Sequence, residues 1–315
     1  MSIALYHSGS LGAASHRQTL MKLVDFRLLS FHEKYVVTAR NYIKQVQAVR
    51  DTSNVTIMFD SGAFTAWKRK EKDIEVRDLL ARLKKAFKYC EGRFKEVYAI
   101  SLDKIPGTPG TTPSAEEVRE AIRISDENHH ILSSELGNKV LPVFHQGEPD
   151  SRLHEVLALN PEYICVSPRN DVHEKARREW AQRTHKLIPK KVRTHGLAAT
   201  GGEMLLNVPW SSVDSAAIIQ AAAFGKVFIP NRNTLLLINV SKHSSFRRHY
   251  SKHYDHWPDA MVKKTLESYL NLVGVTLEDI RSEGGARELI NAAVLVEASQ
   301  RPHEEVPVEQ GLFAL

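Results

Sequence analysis

The sequence alternates short apolar runs with longer amphipathic stretches, and each apolar run ends in a polar residue. The clearest case is the run 55–59, which leads directly into Asp60, Ser61 and Gly62. Short apolar, β-branched runs predict buried strands, and the amphipathic stretches between them predict helices. The eight runs lie at residues 3–6, 26–31, 55–59, 97–102, 139–144, 163–166, 192–195 and 212–213.

Strands that alternate with helices in this number predict an α/β fold of the TIM type, a (β/α)8 barrel, over residues 1–240. In such a barrel the residues at the strand ends meet at one mouth. An open doubly wound sheet is the alternative, but residues 7–12 match poorly the glycine-rich phosphate loop that normally follows its first strand. The polar strand-end residues are His7, His32, Asp60, Asp103, Gln146, Ser167, His195 and Asp214.

The pattern changes after residue 225. A hairpin is predicted first, then a basic, histidine-rich segment, and then two helical stretches. We expect residues 241–301 to form a small helical extension packed on the barrel, and the acidic residues 302–315 to form a flexible tail. The predicted hairpin strands are 227–229 and 235–240, and the predicted helices are 260–272 and 277–296.

Composition narrows the class of protein. Hydrophobic residues make up 42% of the 315 and charged residues 25%, with no run long enough to span a membrane, so we expect a cytoplasmic globular enzyme. Cys90 and Cys165 are the only cysteines, which excludes a disulfide framework and predicts two small buried side chains. The net charge of +6 permits a polyanionic partner, and basic residues cluster within 177–193 and 242–252.

Three acids follow predicted strands: Asp60, Asp103 and Asp214. Paired carboxylates suit the chemistry of a glycosidic bond, where one acts as a nucleophile and the other moves protons. Two other interpretations remain open from the residues alone. Each aspartate is also of the type that caps a turn or pairs with arginine, and three carboxylates at one mouth are also of the type that binds a metal ion.

Four segments, in order, resemble the tRNA-guanine transglycosylases, especially the DNA-acting members that insert 7-deazaguanines. Residues 59–64, Phe-Asp-Ser-Gly-Ala-Phe, resemble the Asp-Ser-Gly-Gly-Phe loop of that family. Residues 213–217, Val-Asp-Ser-Ala-Ala, resemble its Phe-Asp-Ser-Ala-Ala segment. Residues 101–106 and 145–147 resemble its Phe-Asp-Glu-Cys-Thr-Pro turn and its Val-Gln-Gly-Gly segment. The resemblance covers residues 55 to 225.

The resemblance implies a role for each matching residue. Asp214 would be the nucleophile that attacks C1′ of the nucleoside, and Asp60 the acid and base for the leaving and incoming bases. A carboxylate accepts from N1–H and N2–H of guanine, and an amide donates to N7 or O6. His145 and His195 are candidate proton relays. The implied contacts to the base are Asp103, Gln146, Ser61, Gly147 and Gly196.

The region after the barrel departs from the tRNA-acting members, which hold a zinc ion there through three cysteines and a histidine. This chain has no cysteine in that region, so we expect no zinc and no other cofactor. The spacing of His249 and His253 leaves a two-histidine metal site as a weaker alternative. The basic residues predict contacts with phosphates instead; the predicted nucleic-acid contacts are Arg247, Arg248, Lys252 and Arg169.

These observations predict an enzyme that acts on DNA. Its target base is single-stranded or flipped out of the duplex, because a stacked base cannot reach the carboxylates. Guanine would then be exchanged for a free 7-deazaguanine base. The alternatives are a DNA glycosylase that leaves an abasic site, for example in anti-phage defence, a tRNA-guanine transglycosylase, a non-catalytic nucleic-acid-binding module and a metal-dependent hydrolase.

Two further features bear on partners. Aromatic residues near the strand ends are candidates for the side chain that fills the gap left by a flipped base; they are Phe64, Trp67 and Trp210. Residues 310–313, Gln-Gly-Leu-Phe, resemble the short peptides that dock on bacterial sliding clamps, which makes a sliding clamp a candidate partner of the tail.

Overall fold

The computed structural model describes residues 2–9, 12–32, 36–231, 234–245 and 253–300. The strands are β1 (Ala4–Ser8), β2 (Phe26–Ser30), β3 (Thr56–Asp60), β4 (Glu96–Ile100), β5 (Val140–Leu141), β6 (Val143–His145), β7 (Tyr163–Ser167), β8 (Arg193–Gly196), β9 (Ser212–Ser215), β10 (Lys226–Asn231) and β11 (Thr234–Asn239). The helices are α1 (Ala14–Leu23), α2 (Val36–Val49), α3 (Ala63–Arg69), α4 (Val76–Cys90), α5 (Ala115–Leu136), α6 (Asp150–Ala158), α7 (Glu174–Leu187), α8 (Gly202–Asn207), α9 (Ala217–Ala223), α10 (Ala260–Val273), α11 (Leu277–Ser282) and α12 (Gly284–Gln300).

The first nine strands form one parallel sheet in the order β5-β4-β3-β2-β1-β9-β8-β7-β6. Its two outermost strands, β5 and β6, are separated in the chain only by Pro142. The carbonyl of Pro142 accepts from the Cys165 N–H at 2.8 Å, and the carbonyl of Leu141 accepts from the Ser101 N–H at 3.0 Å. β5 and β6 are therefore two halves of one strand, which closes the sheet into an eight-stranded barrel. This confirms the predicted (β/α)8 barrel and excludes the open doubly wound sheet.

Side chains fill the barrel interior, because alternate residues of each strand point inward. Tyr98 and Tyr163 meet edge to face with ring centroids 5.4 Å apart, and the Arg193 guanidinium lies 4.5 Å from the centroid of the Tyr163 ring. Arg193 begins β8 and lies 3.8 Å from Glu96, which begins β4. These residues close the amino-terminal end of the barrel. The buried interior cluster is Tyr6, Leu28, Met58, Tyr98, Ile100, Leu141, Val143, Tyr163 and Cys165.

Helices cover the outside of the barrel with their apolar faces. In α4 the buried residues include Leu83 and Cys90, which pack with residues of β2, β3 and β4 in one hydrophobic cluster. Cys165 lies inside the barrel, so both cysteines are buried, as predicted. α5 begins at Ser114, whose side chain accepts from the backbone N–H of Glu117 while the Glu117 side chain accepts from the backbone N–H of Ser114. These two reciprocal bonds form a capping box, which satisfies backbone N–H groups at the start of α5.

The last helix completes the outer layer of the barrel. After β9 the chain forms α9 and the antiparallel hairpin β10–β11, which matches the predicted hairpin. α12 then packs on β1, α1, α8 and α9 with one side and on β10, α10 and α11 with the other. The Ile3 N–H donates to the carbonyl of Ser299 at 2.7 Å. α12 therefore fills the gap in the helix ring between α8 and α1, and the predicted extension shares its core with the barrel.

The predicted helix 277–296 is two helices in the structure. Glu283 is extended, with φ −117° and ψ 130°, and separates α11 from α12. Gly284 and Gly285 follow it, and glycine is a poor helix former. Gly285 also allows a close approach, since a Cβ there would lie 2.4 Å from the Cα of Gly12. No helix in the described ranges is long and apolar enough to cross a membrane. The tail predicted for 302–315 lies outside the described residues.

Candidate active site

Three acids meet at the carboxyl-terminal mouth of the barrel. Asp60 ends β3 two residues after the inward-facing Met58, so its side chain also points inward. Asp214 lies in β9 in register with the inward-facing Tyr6, and Asp103 follows β4. The negative charges of Asp214 and Asp103 both act on Asp60 and raise its pKa. The structure thus brings together three residues that are spread over more than a hundred positions of the sequence.

The surroundings of Asp60 favour its protonated form. Burial and the charges of Asp214 and Asp103 raise its pKa from 3.8 to about 6, against hydrogen bonds from the Gly62 N–H and from the Ser30 side chain. Burial disfavours a charge, and nearby like charges disfavour it further. A carboxyl group with this pKa can donate a proton near neutral pH, which is the requirement for a general acid.

Asp214 is oriented by a chain of polar groups inside the barrel. Its Oδ1 accepts from the Ala198 N–H at 3.2 Å and lies 3.2 Å from Nε2 of the buried His195. Nδ1 of His195 lies 2.6 Å from the Ser212 hydroxyl, which in turn hydrogen-bonds with the phenol of Tyr163. Because this series of hydrogen-bonded side chains runs from the mouth into the barrel interior, it fixes the carboxylate of Asp214 in a single direction.

The contacts of His195 determine its tautomer. Nε2 faces a carboxylate, so in a neutral ring the proton belongs on Nε2. Nδ1 then accepts from the Ser212 hydroxyl, and Ser212 accepts from Tyr163. Burial keeps Tyr163 protonated and able to donate, because it raises the pKa of the phenol well above its usual value. Sequence reasoning named His195 but missed Ser212 and Tyr163, although both are polar residues at inward positions of predicted strands.

Asp103 pairs with His145. Its Oδ2 lies 2.8 Å from Nε2 of His145, the last residue of β6. Burial alone lowers the pKa of His145, but the contact with Asp103 and its charge, together with Glu148, outweigh burial and raise that pKa above its usual value. The contact with Asp103 therefore favours the protonated form of His145, and Oδ1 of Asp103 remains for another donor.

Gln146 and Gly147 form the turn after β6. The side-chain oxygen of Gln146 accepts from the Arg169 N–H at 3.0 Å, which leaves its NH₂ group as the donor for a ligand. Gly147 is exposed, with φ +111°, a conformation that favours glycine. The guanidinium of Arg169 is bound to Asp171, with contacts of 2.9 and 2.5 Å, so its charge is compensated and the predicted phosphate contact is not preformed.

Ser61 and Gly62 shape the turn that follows Asp60. The Ser61 hydroxyl is buried and accepts from the Ala63 N–H at 3.4 Å, where α3 begins. Gly62 has φ +89°, and a Cβ there would lie 2.8 Å from the Cα of His32. Only glycine combines this conformation with such a close approach. Ser61 thus lies at the start of α3. Its hydroxyl can still donate one hydrogen bond, and the predicted contact with a base would use that donor.

Gly196 and Trp210 pack against each other outside the barrel interior. A Cβ on Gly196 would meet the Trp210 ring at 2.9 Å, so the glycine makes room for the indole. Trp210 is 2% exposed, and its Nε1–H donates to the Met204 carbonyl at 3.1 Å. The suggestion that Trp210 fills the gap of a flipped base is therefore wrong, because the ring is a core residue. Only the backbone of Gly196 remains for the predicted base contact.

Two predicted strand-end histidines, His7 and His32, are bound to acidic side chains other than the three aspartates. His7 follows the inward-facing Tyr6, so it points outward into a buried cluster with Arg27 and with Glu288 of α12, whose Oε1 lies 3.3 Å from Nε2 of His7. Burial and the positive charge of Arg27 lower the pKa of His7 to about 4. His32 lies 2.8 Å from Glu71 through its Nε2. Both histidines are engaged in contacts within the protein.

Of the residues predicted to bind DNA or a metal in the basic segment, only His253 lies within the described ranges. Arg247, Arg248, Lys252 and His249 lie outside the described residues. His253 is buried; its Nε2 lies 3.1 Å from the Ser241 carbonyl, and its Nδ1 accepts from the Asp255 N–H at 3.2 Å. Because both ring nitrogens are used, the metal site suggested for His253 is wrong. Within the described ranges, no group of three or more histidine, cysteine, aspartate or glutamate residues has the arrangement of a metal site.

Comparison with known proteins gives distant structural likenesses and no sequence match. No protein-family model matches the chain, and no curated protein sequence matches it. A protein from Pseudomonas aeruginosa, provisionally named a dihydrodipicolinate synthetase, is 10% identical with a TM-score of 0.39, over 69% of this chain and 71% of its own. Tryptophan synthase from M. tuberculosis is 12% identical with a TM-score of 0.32, over 70% and 86%. The YdjI aldolase from Escherichia coli K12 is 9% identical with a TM-score of 0.36, over 96% and 94%. These values carry no inference about the reaction, and the fold assignment rests on the strand order itself.

Proposed function

We propose that the protein is a DNA-directed enzyme that cleaves the N-glycosidic bond of a nucleobase and exchanges guanine for a 7-deazaguanine. The observation that carries the proposal is the pairing of two unlike carboxyl groups at one mouth. Asp60 has a pKa of about 6, suited to an acid, and Asp214 is an oriented carboxylate, suited to a nucleophile. The motif resemblance assigns the same two roles to the same two residues.

The proposed reaction has two displacement steps. In the first, an oxygen of Asp214 attacks C1′ of the nucleotide, the bond from C1′ to the base nitrogen breaks, and Asp60 gives its proton to the departing base. In the second, the carboxylate of Asp60 removes the proton from the ring nitrogen of the incoming base. That nitrogen attacks C1′, and the ester bond to Asp214 breaks. Each step restores the charge of the carboxyl group that the other used.

Base recognition falls to the groups around these acids. His145 engages Oδ2 of Asp103, so Oδ1 is the oxygen that would accept from N1–H and N2–H of guanine. The NH₂ group of Gln146 donates to O6 or N7, while its oxygen stays on the Arg169 N–H. The acids lie inside the barrel wall, so the base enters from single-stranded DNA or after flipping.

The test is incubation of the purified protein with phage and plasmid DNA, with and without 7-deazaguanine bases, followed by mass spectrometry of released bases and of DNA nucleosides. Release of guanine matched by incorporation of the added base is expected. Asp214→Asn should abolish both, because an amide is a poor nucleophile, and should leave no covalent complex on a denaturing gel. Asp78→Asn, which changes an exposed aspartate of α4, is the matched control and should behave as wild type.

The other outcomes separate the alternatives. Release without incorporation, with alkali-labile sites in the DNA, would make the protein a DNA glycosylase in which water takes the place of the second base. Exchange in tRNA but not in DNA would make it a tRNA-guanine transglycosylase. Loss of activity on chelation would indicate a metal-dependent hydrolase. No release from any nucleic acid, with salt-sensitive binding, would leave a binding module.

A further inference from the structure

A basic segment runs from the last two residues of α3 into the loop that follows it, and its two acids are both bound to neighbouring loops. Residues 68–73 read Lys-Arg-Lys-Glu-Lys-Asp. Oε2 of Glu71 lies 2.8 Å from His32 Nε2, and its Oε1 lies 3.7 Å from Arg69. Asp73 lies 2.7 Å from Nζ of Lys104. The acids therefore tie the segment to the loops after β2 and β4, and their charges are compensated.

The three lysines of this segment have no such partners. Lys68, Lys70 and Lys72 are exposed, and none of them forms an ion pair with a carboxylate in the part of the chain that the structure describes. Lys70 ends α3 with φ +56°. With the acids bound to the neighbouring loops and the lysines in solvent, the outer surface of the segment is a fixed patch of positive charge, which attracts polyanions.

An aromatic pair lies beside the lysines. Phe64 is 44% exposed, and its ring centroid lies 5.8 Å from that of Trp67. Trp67 is fixed because its Nε1–H donates to the Gly107 carbonyl at 2.9 Å. Nζ of Lys68 lies 5.9 Å from the centroid of the Phe64 ring. An exposed ring held by a second ring and flanked by lysine is the arrangement that stacks on bases of single-stranded nucleic acid.

The position of this surface relates it to the acids. α3 begins at Ala63, three residues after Asp60, and Gly107 belongs to the loop that follows Asp103. The bond between Trp67 and Gly107 therefore joins the loops that follow the strands carrying two of the three acids. We call the set Phe64, Trp67, Lys68, Lys70 and Lys72 the aromatic–lysine rim.

We propose that the aromatic–lysine rim binds the single-stranded DNA next to the nucleotide that enters the barrel. The ring of Phe64 stacks on a neighbouring base, and Lys68, Lys70 and Lys72 contact the phosphates. This inference rests on the proposed function for the choice of DNA as the polyanion. It assigns DNA binding to residues other than the basic segment 242–252 and Arg169.

The basic cluster at 177–193 is a poorer candidate in the structure. Arg177 is half-buried and donates to the Ala198 carbonyl and to Asn170 at 3.0 Å each. Arg193 lies at the opposite end of the barrel, between Tyr98 and Tyr163. The two ends of this cluster are therefore engaged in contacts within the fold.

The experiment measures binding of a fluorescent single-stranded DNA oligonucleotide at several salt concentrations, in an Asp214→Asn background that prevents turnover. The triple variant Lys68→Gln, Lys70→Gln and Lys72→Gln should lower the slope of log K against log salt by about 2, because each phosphate contact on a single strand contributes about 0.7. Phe64→Ser should weaken binding about tenfold or more at every salt concentration, since stacking carries no counterion release.

The matched control changes the same number of exposed lysines elsewhere. Lys85→Gln, Lys88→Gln and Lys95→Gln on and after α4 remove equal charge from another surface and should leave the slope within about one unit of the parent. Equal losses in both triple variants would overturn the proposal, because binding would then follow net charge alone. Unchanged melting temperatures establish that the variants are folded.

The binding assay is independent of the chemistry. Loss of binding in the rim variants supports the rim even when no base release is found with any DNA, and that result would reject only the proposed reaction. If the rim variants bind DNA as tightly as the wild type, the proposal that the aromatic–lysine rim binds DNA is wrong, even when base exchange is found. An RNA oligonucleotide of the same sequence that binds more tightly, through the same lysines, overturns the assignment of DNA as the ligand.

Discussion

Each of the three carboxyl groups at the mouth has a different set of partners. Asp60 receives hydrogen bonds from the Gly62 N–H and the Ser30 side chain, Asp103 pairs with His145, and Asp214 faces His195 and the Ala198 N–H. Like charges at one site cannot all ionise freely, so differences in environment decide which group keeps its proton. Burial and the charges of Asp214 and Asp103 raise the pKa of Asp60 to about 6, so Asp60 takes up a proton as the pH falls through that value.

We predict that Asp60→Asn stabilises the fold at about pH 7.5 and has little effect at about pH 4. The pKa of Asp60 rises from 3.8 unfolded to about 6 folded. The folded state therefore binds more protons in this window, and stability present below the unfolded pKa is lost as the pH rises through about 6. Two pKa units correspond to about 3 kcal/mol at most, and asparagine removes this penalty.

Urea unfolding of wild type and Asp60→Asn at several pH values measures the difference. Asp78→Asn, on the exposed face of α4, is the control and should show no such pH dependence. A stability difference between wild type and Asp60→Asn that is the same from about pH 4 to about pH 7.5 would show that Asp60 has the same pKa in the folded and unfolded states, contrary to the raised pKa.

The sequence shows which residues form the site, but it does not show which way each side chain points. Asp60 and Asp214 directly follow or end apolar strands, so both were predictable. His7 and Gln146 were harder, because a shift of one residue along a strand turns a side chain to the other face. His7 therefore points to α12, and the inward residue of β6 is His145, which takes Asp103 as its partner. The pairing of Arg169 with Asp171 was visible as opposite charges two residues apart.

Among the elements, α12 departs most from what periodicity predicts. It is buried along most of its length, because it packs on the barrel and on the hairpin at once. A helix covered on two sides has no clear polar face, and the usual amphipathic signal is weak. Its polar residues are bonded inward: Arg287 Nε–H donates to the Ala222 carbonyl at 2.6 Å, and Glu288 meets His7.

Asn291 is the polar residue of α12 whose loss we expect to cost most. Its side-chain oxygen accepts from the Phe228 N–H at 2.8 Å, and its NH₂ donates to the carbonyls of Ile218 and Lys226 at 3.2 and 3.3 Å. Asn291→Leu leaves these buried backbone groups unpaired, so the free energy of unfolding should fall by about 2–5 kcal/mol.

Chemical unfolding measures this loss. The control is Ser268→Ala on α10, whose exposed hydroxyl bonds only to the Lys264 carbonyl of its own helix, and its effect should stay below about 0.5 kcal/mol. A loss for Asn291→Leu as small as the control would mean that water replaces the lost side chain and that Asn291 does not hold the hairpin to α12.

For the whole molecule, barrel closure was predictable because eight strand-like runs alternate with helices. The helix that completes the ring was not, because the chain leaves β9 at Ser215 and returns as α12 only at Gly284. The residues between them form the hairpin, α10 and α11, which share a hydrophobic cluster with α12. Contacts between distant parts of a chain leave no local pattern in its sequence.

Because α12 belongs to both hydrophobic clusters, we predict that the barrel and the C-terminal part unfold in one transition. The calorimetric and van't Hoff enthalpies of unfolding should agree, and circular dichroism and tryptophan fluorescence should give the same midpoint. Asn291→Leu should lower that single midpoint. Two separate transitions, of which Asn291→Leu shifts the first and leaves the second unchanged, would show that the two clusters unfold independently.

The hairpin β10–β11 is the part of the protein where we expect self-association at high protein concentration to begin. Closure removes every free edge from the barrel, whereas the two-stranded sheet keeps two outer edges. Asn291 covers the edge of β10 at Lys226 and Phe228, and within the described ranges the edge of β11 carries one bridge, from Asn239 to His253. Its strand β11 also presents Leu237, which is 44% exposed. Free edges with apolar side chains are where molecules add to one another strand by strand. Self-association on concentration or partial heating should therefore begin at the hairpin, and aggregation-resistant versions of this protein would be sought there and not in the barrel.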